Sequence, residues 1–243
     1  MAKFIAIWGS PDSGKTTFST KLAKTIYDEY QSTVIVVYAD NETPALPILF
    51  PNRRKEDIYS LGVILSKTDI TQDDIIKQIV TIKGCQNFGV LGFSDGENKY
   101  TYPAFDETKV RTLFNVLSTL ADYIIIDCTS NLSNSISRYA IKAADEVIRL
   151  ATPDLKSISY YASQLQLYAD PIFRLNEHIQ GINVPDEDLY MPIEDAKAHL
   201  QDLSFTLPYS RAVKQQMLDG KLFASINDKK YNDKLKQIVN KIV

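Results

Sequence analysis

The amino-acid sequence predicts an α/β fold: three layers, α/β/α, about a mostly parallel, twisted sheet of about seven strands. Two observations predict it. Short apolar runs alternate with segments of helical periodicity along the whole chain, as parallel strands joined by crossover helices do. Most of the runs lack strict polar–apolar alternation, which is expected of strands covered on both faces.

The strand candidates are Lys3–Trp8, Thr33–Ala39, Asn87–Phe93, Tyr123–Asp127, Glu146–Ala151, Ile179–Val184 and Leu203–Leu207. Between them, Lys15–Tyr30 carries Phe18, Leu22, Ala23, Ile26 and Tyr30 at helical spacing. Thr71–Ile82 places Ile75, Ile76, Ile79 and Val80 in a helical pattern, opened by Thr71 and Asp74 in a capping-box-like start. Lys109–Leu120, Ser133–Ala143, Leu155–Tyr168, Ile193–Leu200 and Tyr209–Asp219 complete the helical set. Residues 96–108 and 41–54 are expected to be loops, the second with three prolines, and loops that long often carry function. In Lys229–Val243, Leu235, Ile238, Val239, Ile242 and Val243 form one apolar stripe. That stripe predicts a basic amphipathic helix within residues 222–243. The helix either packs on the sheet or meets a membrane surface or partner.

A chain of 243 residues suits one α/β domain, and a hydrophobic fraction of 44% is enough to build a core. The net charge of −3 advertises no global affinity for nucleic acid. Residues 201–243, however, hold eight Lys/Arg against four Asp, so nonspecific DNA or an acidic membrane surface is a candidate partner of the tail. Two cysteines, Cys85 and Cys128, suggest a reducing compartment. The five apolar residues Phe4 to Trp8 are too few for a signal peptide, and no run approaches a membrane span. A cytoplasmic protein, at most peripheral at the membrane, is the expectation.

One motif carries chemistry. Gly9-Ser10-Pro11-Asp12-Ser13-Gly14-Lys15-Thr16 fits G-x-x-x-x-G-K-[ST] at every defined position, between a strand candidate and a helix candidate. Gly9 and Gly14 let the backbone turn tightly and approach phosphate oxygens. Successive N–H groups and the helix N-terminus then cradle the anion. Lys15 is expected to reach the β- and γ-phosphates of a nucleotide, and the Thr16 hydroxyl to ligate Mg²⁺. Tyr123-Ile124-Ile125-Ile126-Asp127 ends a buried-strand pattern in a carboxylate, the Walker B arrangement, which makes Asp127 the second magnesium candidate. Asp40, just after the second strand candidate, can orient water at the γ-phosphate. Cys128 reads as a small buried residue and not a nucleophile. His178 and His199 read as ordinary structural or surface residues.

Taken together these residues resemble the MinD/ParA family of P-loop ATPases. Asp122-Tyr123-Ile124-Ile125-Ile126-Asp127 looks like the family's D-Y-I-I-I-D strand. Ala144-Asp145-Glu146-Val147-Ile148 and Ala151-Thr152-Pro153-Asp154 resemble its segment before a long helix, and Leu207-Pro208-Tyr209 with Ala212-Val213 and Gly220-Lys221 its C-terminal pattern. The resemblance implies ATP or ADP with Mg²⁺ as cofactors, Lys15, Thr16 and Thr17 on phosphate and metal, and Asp40 positioning the attacking water. It places Pro208 beside the base and Asn183 on the adenine, with Asn176 the rival. It further implies a homodimer, an activating protein partner and a positioning role: a pilus or secretion apparatus, the division site or a DNA element.

Two departures bear on that picture. Ser10 stands where the family has a lysine that crosses to the partner subunit, and Pro11 and Asp12 replace two glycines. Tyr38 stands where the first switch has its first Asp. Weak hydrolysis is therefore expected. Tad-pilus localisation proteins depart from the signature lysine in the same way. The alternatives are a nucleotide-binding scaffold with negligible turnover and a P-loop metabolic kinase or ligase, whose substrate pocket Arg53, Arg54 and Lys55 could supply. The related iron-protein and tyrosine-kinase readings lack suitably placed cysteines and a C-terminal tyrosine cluster.

Overall fold

The computed structural model describes residues 2–188, 191–200 and 203–243. The strands are β1 (Lys3–Gly9), β2 (Val34–Tyr38), β3 (Val80–Ile82), β4 (Cys85–Leu91), β5 (Tyr123–Asp127), β6 (Glu146–Ala151), β7 (Ile179–Asn183) and β8 (Leu203–Leu207). The α-helices are α1 (Lys15–Tyr30), α2 (Leu46–Leu49), α3 (Leu61–Leu65), α4 (Gln72–Gln78), α5 (Glu107–Leu117), α6 (Ser135–Ala143), α7 (Leu155–Gln164), α8 (Ile193–His199), α9 (Arg211–Leu218) and α10 (Lys229–Ile242).

The strands form one sheet in the order β3-β4-β2-β5-β1-β6-β7-β8, with every pair parallel except β3 and β4. Each face of the sheet is covered. Along β1, Ile5 and Ile7 enter one core with α1, α2, α9 and α10, while Ala6 and Trp8 enter the other with α3 to α8. The period-two geometry of a strand thus explains why the run is apolar throughout. β1 lies between β5 and β6, where successive crossovers leave in opposite directions, and ligands of open α/β sheets bind at the carboxyl ends of such strands.

The structure adds an eighth strand, and the helix expected over Thr71–Ile82 stops short to make it. Thr71 and Asp74 do form the capping box, but the helix ends at Gln78. The β-branched run Val80-Thr81-Ile82 then pairs antiparallel with β4 across a turn where Gly84 has φ 84°. Its apolar residues satisfy a short helical window and a strand equally, and pairing with the sheet edge decides between them. The loop over 41–54 contains α2, which buries Leu46 and Leu49. The helix after β6 tightens into a 3-10 turn at Leu165–Tyr168.

α10 resolves the choice left open for the tail. Tyr231, Leu235, Ile238, Val239 and Ile242 are buried, and the helix packs on α1 and β8. Four of the five stripe residues are therefore covered by the protein itself, and Val243 at the end is exposed. Among the basic residues nearby, Lys236 pairs with Glu29 at 2.7 Å and Lys214 pairs with Asp186. No helix among the described residues is long and apolar enough to cross a membrane.

His178 is structural, as expected. Trp8 Nε1 donates to its Nδ1 at 3.3 Å, and its Nε2 lies 2.7 Å from the Phe173 carbonyl. Burial pushes its pKa down to about 4. His199 is exposed.

Two predictions follow from this packing. Leu235→Ala, at a fully buried site, should cost about 2–5 kcal/mol in denaturant unfolding, and removing 229–243 should lower the melting temperature. As for His178, the unfolded chain takes up a proton near its ordinary pKa while the folded protein resists until about pH 4. The His178 contribution should therefore fall by roughly 3 kcal/mol as pH drops through that window. The buried Asp127 carboxyl opposes it, since its raised pKa adds stability over nearly the same range. Unfolding curves of His178→Gln should gain on wild type as pH falls.

Candidate functional site

The loop between β1 and α1 takes its shape from residues that tolerate unusual backbone. Gly9 has φ 153°, and a Cβ there would stand 2.0 Å from the Leu150 carbonyl of β6. Gly14 adopts the left-handed conformation at φ 79° and opens α1 without any side-chain cap. Asp12 also lies in the left-handed region, at φ 59°. The first N–H groups of α1 are thus left for an external acceptor. Ser13 Oγ donates to the Ser10 carbonyl at 2.8 Å and closes the loop on itself.

Two strand ends bring further chemistry to this loop. Asp127, at the end of β5, accepts from Thr16 Oγ1 at 2.7 Å and from Ser19 Oγ at 3.0 Å. It is buried, and desolvation pushes its pKa up to about 6 despite those hydrogen bonds and the nearby Lys15. Burial moves Lys15 the other way and lowers its pKa. Its ammonium donates to the Ser10 carbonyl at 2.8 Å, to Ser130 Oγ at 2.7 Å and to the Gly9 carbonyl at 3.4 Å. Asp40, after β2, is held in a turn in which the Glu42 and Thr43 N–H groups both donate to Oδ1 at 2.8 Å.

This arrangement suits a divalent cation. A desolvated carboxylate beside an alcohol, at the foot of an uncapped helix, presents the hard oxygen donors that Mg²⁺ takes alongside phosphate. Among the described residues no group of three or more His, Cys, Asp or Glu could hold a metal by itself. Any ion here would therefore be completed by water and nucleotide.

The structure brings most of the sequence-predicted residues together. Pro11, Asp12, Gly14, Lys15, Thr16, Thr17, Asp40 and Asp127 all line one cavity of about 960 Å³. Asn183 reaches the loop from the end of β7, its Nδ2 donating to the Ser13 carbonyl at 2.9 Å. Pro208 follows β8, whose last residue pairs in register with Asn183. Asn176 lies in the 3-10 turn Leu175–Glu177 before β7, at the opposite edge of the sheet. Asn183 thus stands beside the loop and Asn176 does not, while neither Asn183 nor Pro208 lines the cavity.

The departures also have structures. Ser10 is fully buried, its Oγ 2.7 Å from Ser157 Oγ of α7, so this position points into the protein. Asp12 is exposed and pairs with Lys156 at 2.5 Å. Tyr38 is buried, with its hydroxyl 2.7 Å from Thr20 Oγ1. Cys128 is buried and desolvation drives its thiol pKa well up, which disfavours the thiolate at neutral pH. Arg53 and Arg54 do not supply a substrate pocket. Arg53 donates to the Thr81 carbonyl and covers the Phe50 ring, while Arg54 pairs with Asp57 at 2.9 Å. The Lys55 side chain lies outside the described residues.

Sequence reasoning missed Ser19, Ser130, Asn134, Ser157 and Tyr160. Ser19 had a signal, since it sits three residues after Thr16 on one helix face. Asn134 caps α6 and donates to the Ala39 carbonyl at 2.9 Å, so it joins the segments after β5 and β2. The roles of Ser157 and Tyr160 depend on how α7 lies against the loop, and no local pattern encodes that.

Comparison with solved structures finds this architecture in several nucleotide-binding proteins. A ParA family ATPase from Chlorobium tepidum TLS superposes with a TM-score of 0.79 at 14% identity, over 98% of each chain. The septum site-determining protein MinD from Pyrococcus horikoshii OT3, complexed with Mg-ADP, gives 0.71 at 16% identity, over 100% of this chain and 96% of that one. A putative plasmid partition protein from Borrelia burgdorferi B31, bound to AMPPNP, gives 0.67 at 16%, over 99% and 98%. No family profile and no curated protein matches the sequence. The chain therefore has the three-layer fold of ParA and MinD ATPases.

Burial of Asp127 has a measurable consequence. Its raised pKa means that its contribution to the stability of the metal-free protein is greatest below the ordinary carboxylate pKa and is lost as pH rises through about 6. Asp127→Asn should therefore stabilise the metal-free protein at neutral pH by up to about 3 kcal/mol, seen as a raised melting temperature, and have little effect at low pH.

Proposed function

We propose that this chain is an atypical, MinD/ParA-like ATP-binding protein that hydrolyses ATP slowly and works as a nucleotide-dependent switch. One observation carries the reading. Thr16, Lys15 and Asp127 come from a phosphate-binding motif and a separate strand end, and they converge on one cavity that Asp40 also lines.

In this reading the loop N–H groups and Lys15 bind the phosphates, and Thr16 and Asp127 hold Mg²⁺. The ion would neutralise phosphate charge as the bond to the leaving group breaks. Asp40, its Oδ1 fixed by two backbone donors, orients the attacking water. Asn183 and Pro208 flank the base. The whole chain acts as one P-loop NTPase unit, with 222–243 as its C-terminal helical segment.

Slow turnover follows from Ser10. A cation that stabilises transferring phosphate can be worth several orders of magnitude in rate. Here the position is a buried hydroxyl tied to Ser157, so it offers no charge to its own nucleotide or to a second subunit. The service is positioning, at a pilus or secretion apparatus of the Tad type, a division site or a DNA element, with a homodimer and an activating partner as expected assemblies. A cytoplasmic protein with peripheral contacts fits best. Contact with DNA or a membrane would use the exposed lysines of the tail and not its buried stripe.

A second reading, a P-loop kinase or ligase, is favoured by the cavity itself. It continues past Asp40 to Lys99, Tyr102 and Phe105, and its far wall is braced by Glu97, which accepts from Ser60, Ser94 and Tyr102. The protein alone with MgATP separates the two. The switch reading expects slow phosphate release without added acceptor, falling about tenfold or more in Asp40→Ala while MgATP affinity is retained. Equal rates in wild type and Asp40→Ala would remove Asp40 from the chemistry.

A further inference from the structure

A loop that binds phosphate gains nothing from a carboxylate of its own, yet Asp12 stands in the loop between β1 and α1 and lines the cavity. The charges of Asp12 and Lys15 act on each other's titration, so Asp12 also bears on an anion that Lys15 holds. Lys156 meets Asp12 from the outer side. Its ammonium lies 2.5 Å from Asp12 Oδ2, and that contact is the chief cause holding the Asp12 carboxyl below its ordinary range. Lys156 is a poor choice for its own helix. It stands in the first turn of α7, where the helix dipole disfavours a cation, and that turn holds no acidic residue. The N-cap carboxylate of Asp154 favours the Lys156 charge less than Asp12 does. The docking of α7 does not depend on Lys156. Ser157 Oγ, one residue on, is buried 2.7 Å from Ser10 Oγ, and Asp154 accepts from the Ser157 N–H at 2.7 Å.

We infer, resting on the nucleotide reading above, that Lys156 offsets the charge of Asp12 and so sets the affinity of the loop for a polyphosphate. It acts through Asp12 and not on the nucleotide, which makes it a positioning residue. A nucleotide brings several negative charges to the N–H groups of the loop, and an uncompensated carboxylate beside them opposes each one. With Lys156 in place the pair presents little net charge. The Asp12 side chain is 83% exposed and that of Lys156 64%, so the effect is modest and falls with salt. Lys156 lies 140 residues beyond the motif, and nothing in the motif announces it.

Equilibrium binding of MgAMPPNP to the full chain, at low and at moderate salt, tests this in wild type, Lys156→Met, Lys156→Arg, Asp12→Asn and the double variant Asp12→Asn/Lys156→Met. Asn suits the left-handed backbone of position 12, where φ is 59°. Lys156→Met should weaken binding about two- to fivefold at low salt, the range of one exposed ion pair, and less as salt rises. Lys156→Arg should keep the wild-type affinity. Asp12→Asn should tighten binding by a similar factor, and the double variant should return to the wild-type value. If Lys156 only supports the structure, the double variant stays as weak as Lys156→Met. That result, or a Lys156→Met affinity equal to wild type at low salt, overturns the inference. A set in which no protein binds the nucleotide sinks the nucleotide reading itself, so the two failures are distinguishable.

Discussion

The buried Asp127 carboxylate is the constraint on which the site depends. It sits at the end of the central strand β5, between β1 and β2, where the sheet excludes water from both faces. Thr16 and Ser19 satisfy it from one side of α1, and the charge of Lys15 lies nearby. Taking a carboxylate out of water is costly even with such partners, and the pKa of about 6 records that cost. A divalent cation at this carboxylate would relieve that cost. α1 must also approach β1 and β5 closely enough to deliver its hydroxyls. The close contact of Gly9 with β6 and the left-handed Gly14 make that approach possible.

Around this centre polar contacts tie the neighbouring segments to the loop or to one another. Asn183 holds the Ser13 carbonyl from β7, Asn134 joins the segments after β5 and β2, and α7 holds Ser10 and Ser130 through Ser157 and Tyr160. Most of these groups belong to different crossovers and converge at the carboxyl edge of the sheet. Occupancy of the loop can therefore be felt by elements far apart in sequence. A protein that uses a nucleotide to set a conformational state needs connections of this kind more than it needs rapid chemistry.

The centre of the site was legible in the sequence because its parts are local. Gly9 to Thr16 follow one another, and Asp127 ends an apolar run of fixed length. The parallel sheet was legible because Ile5, Ala6, Ile7 and Trp8 divide between two cores and leave no polar face. Elsewhere local pattern was not enough. Ile79 to Ile82 fit a helix as well as a strand, and only pairing with β4 decides. The tail stripe looked the same for a membrane and for a sheet, and the surfaces of α1 and β8 decide. Ser130, Ser157 and Tyr160 gave no signal, since their partners lie on other elements. The Ser10 departure was visible, but its inward direction was not.

The central claim is that Asp127 is a magnesium-binding carboxylate of a nucleotide site. The most direct test is the magnesium-dependent part of ATP binding, measured for wild type and Asp127→Asn from about pH 5 to about pH 8. Protonation of the nucleotide itself is common to both proteins and cancels. The account predicts a magnesium increment in the wild type that fades as pH falls through about 6, and none in Asp127→Asn at any pH. The same increment in both proteins across the range would contradict it.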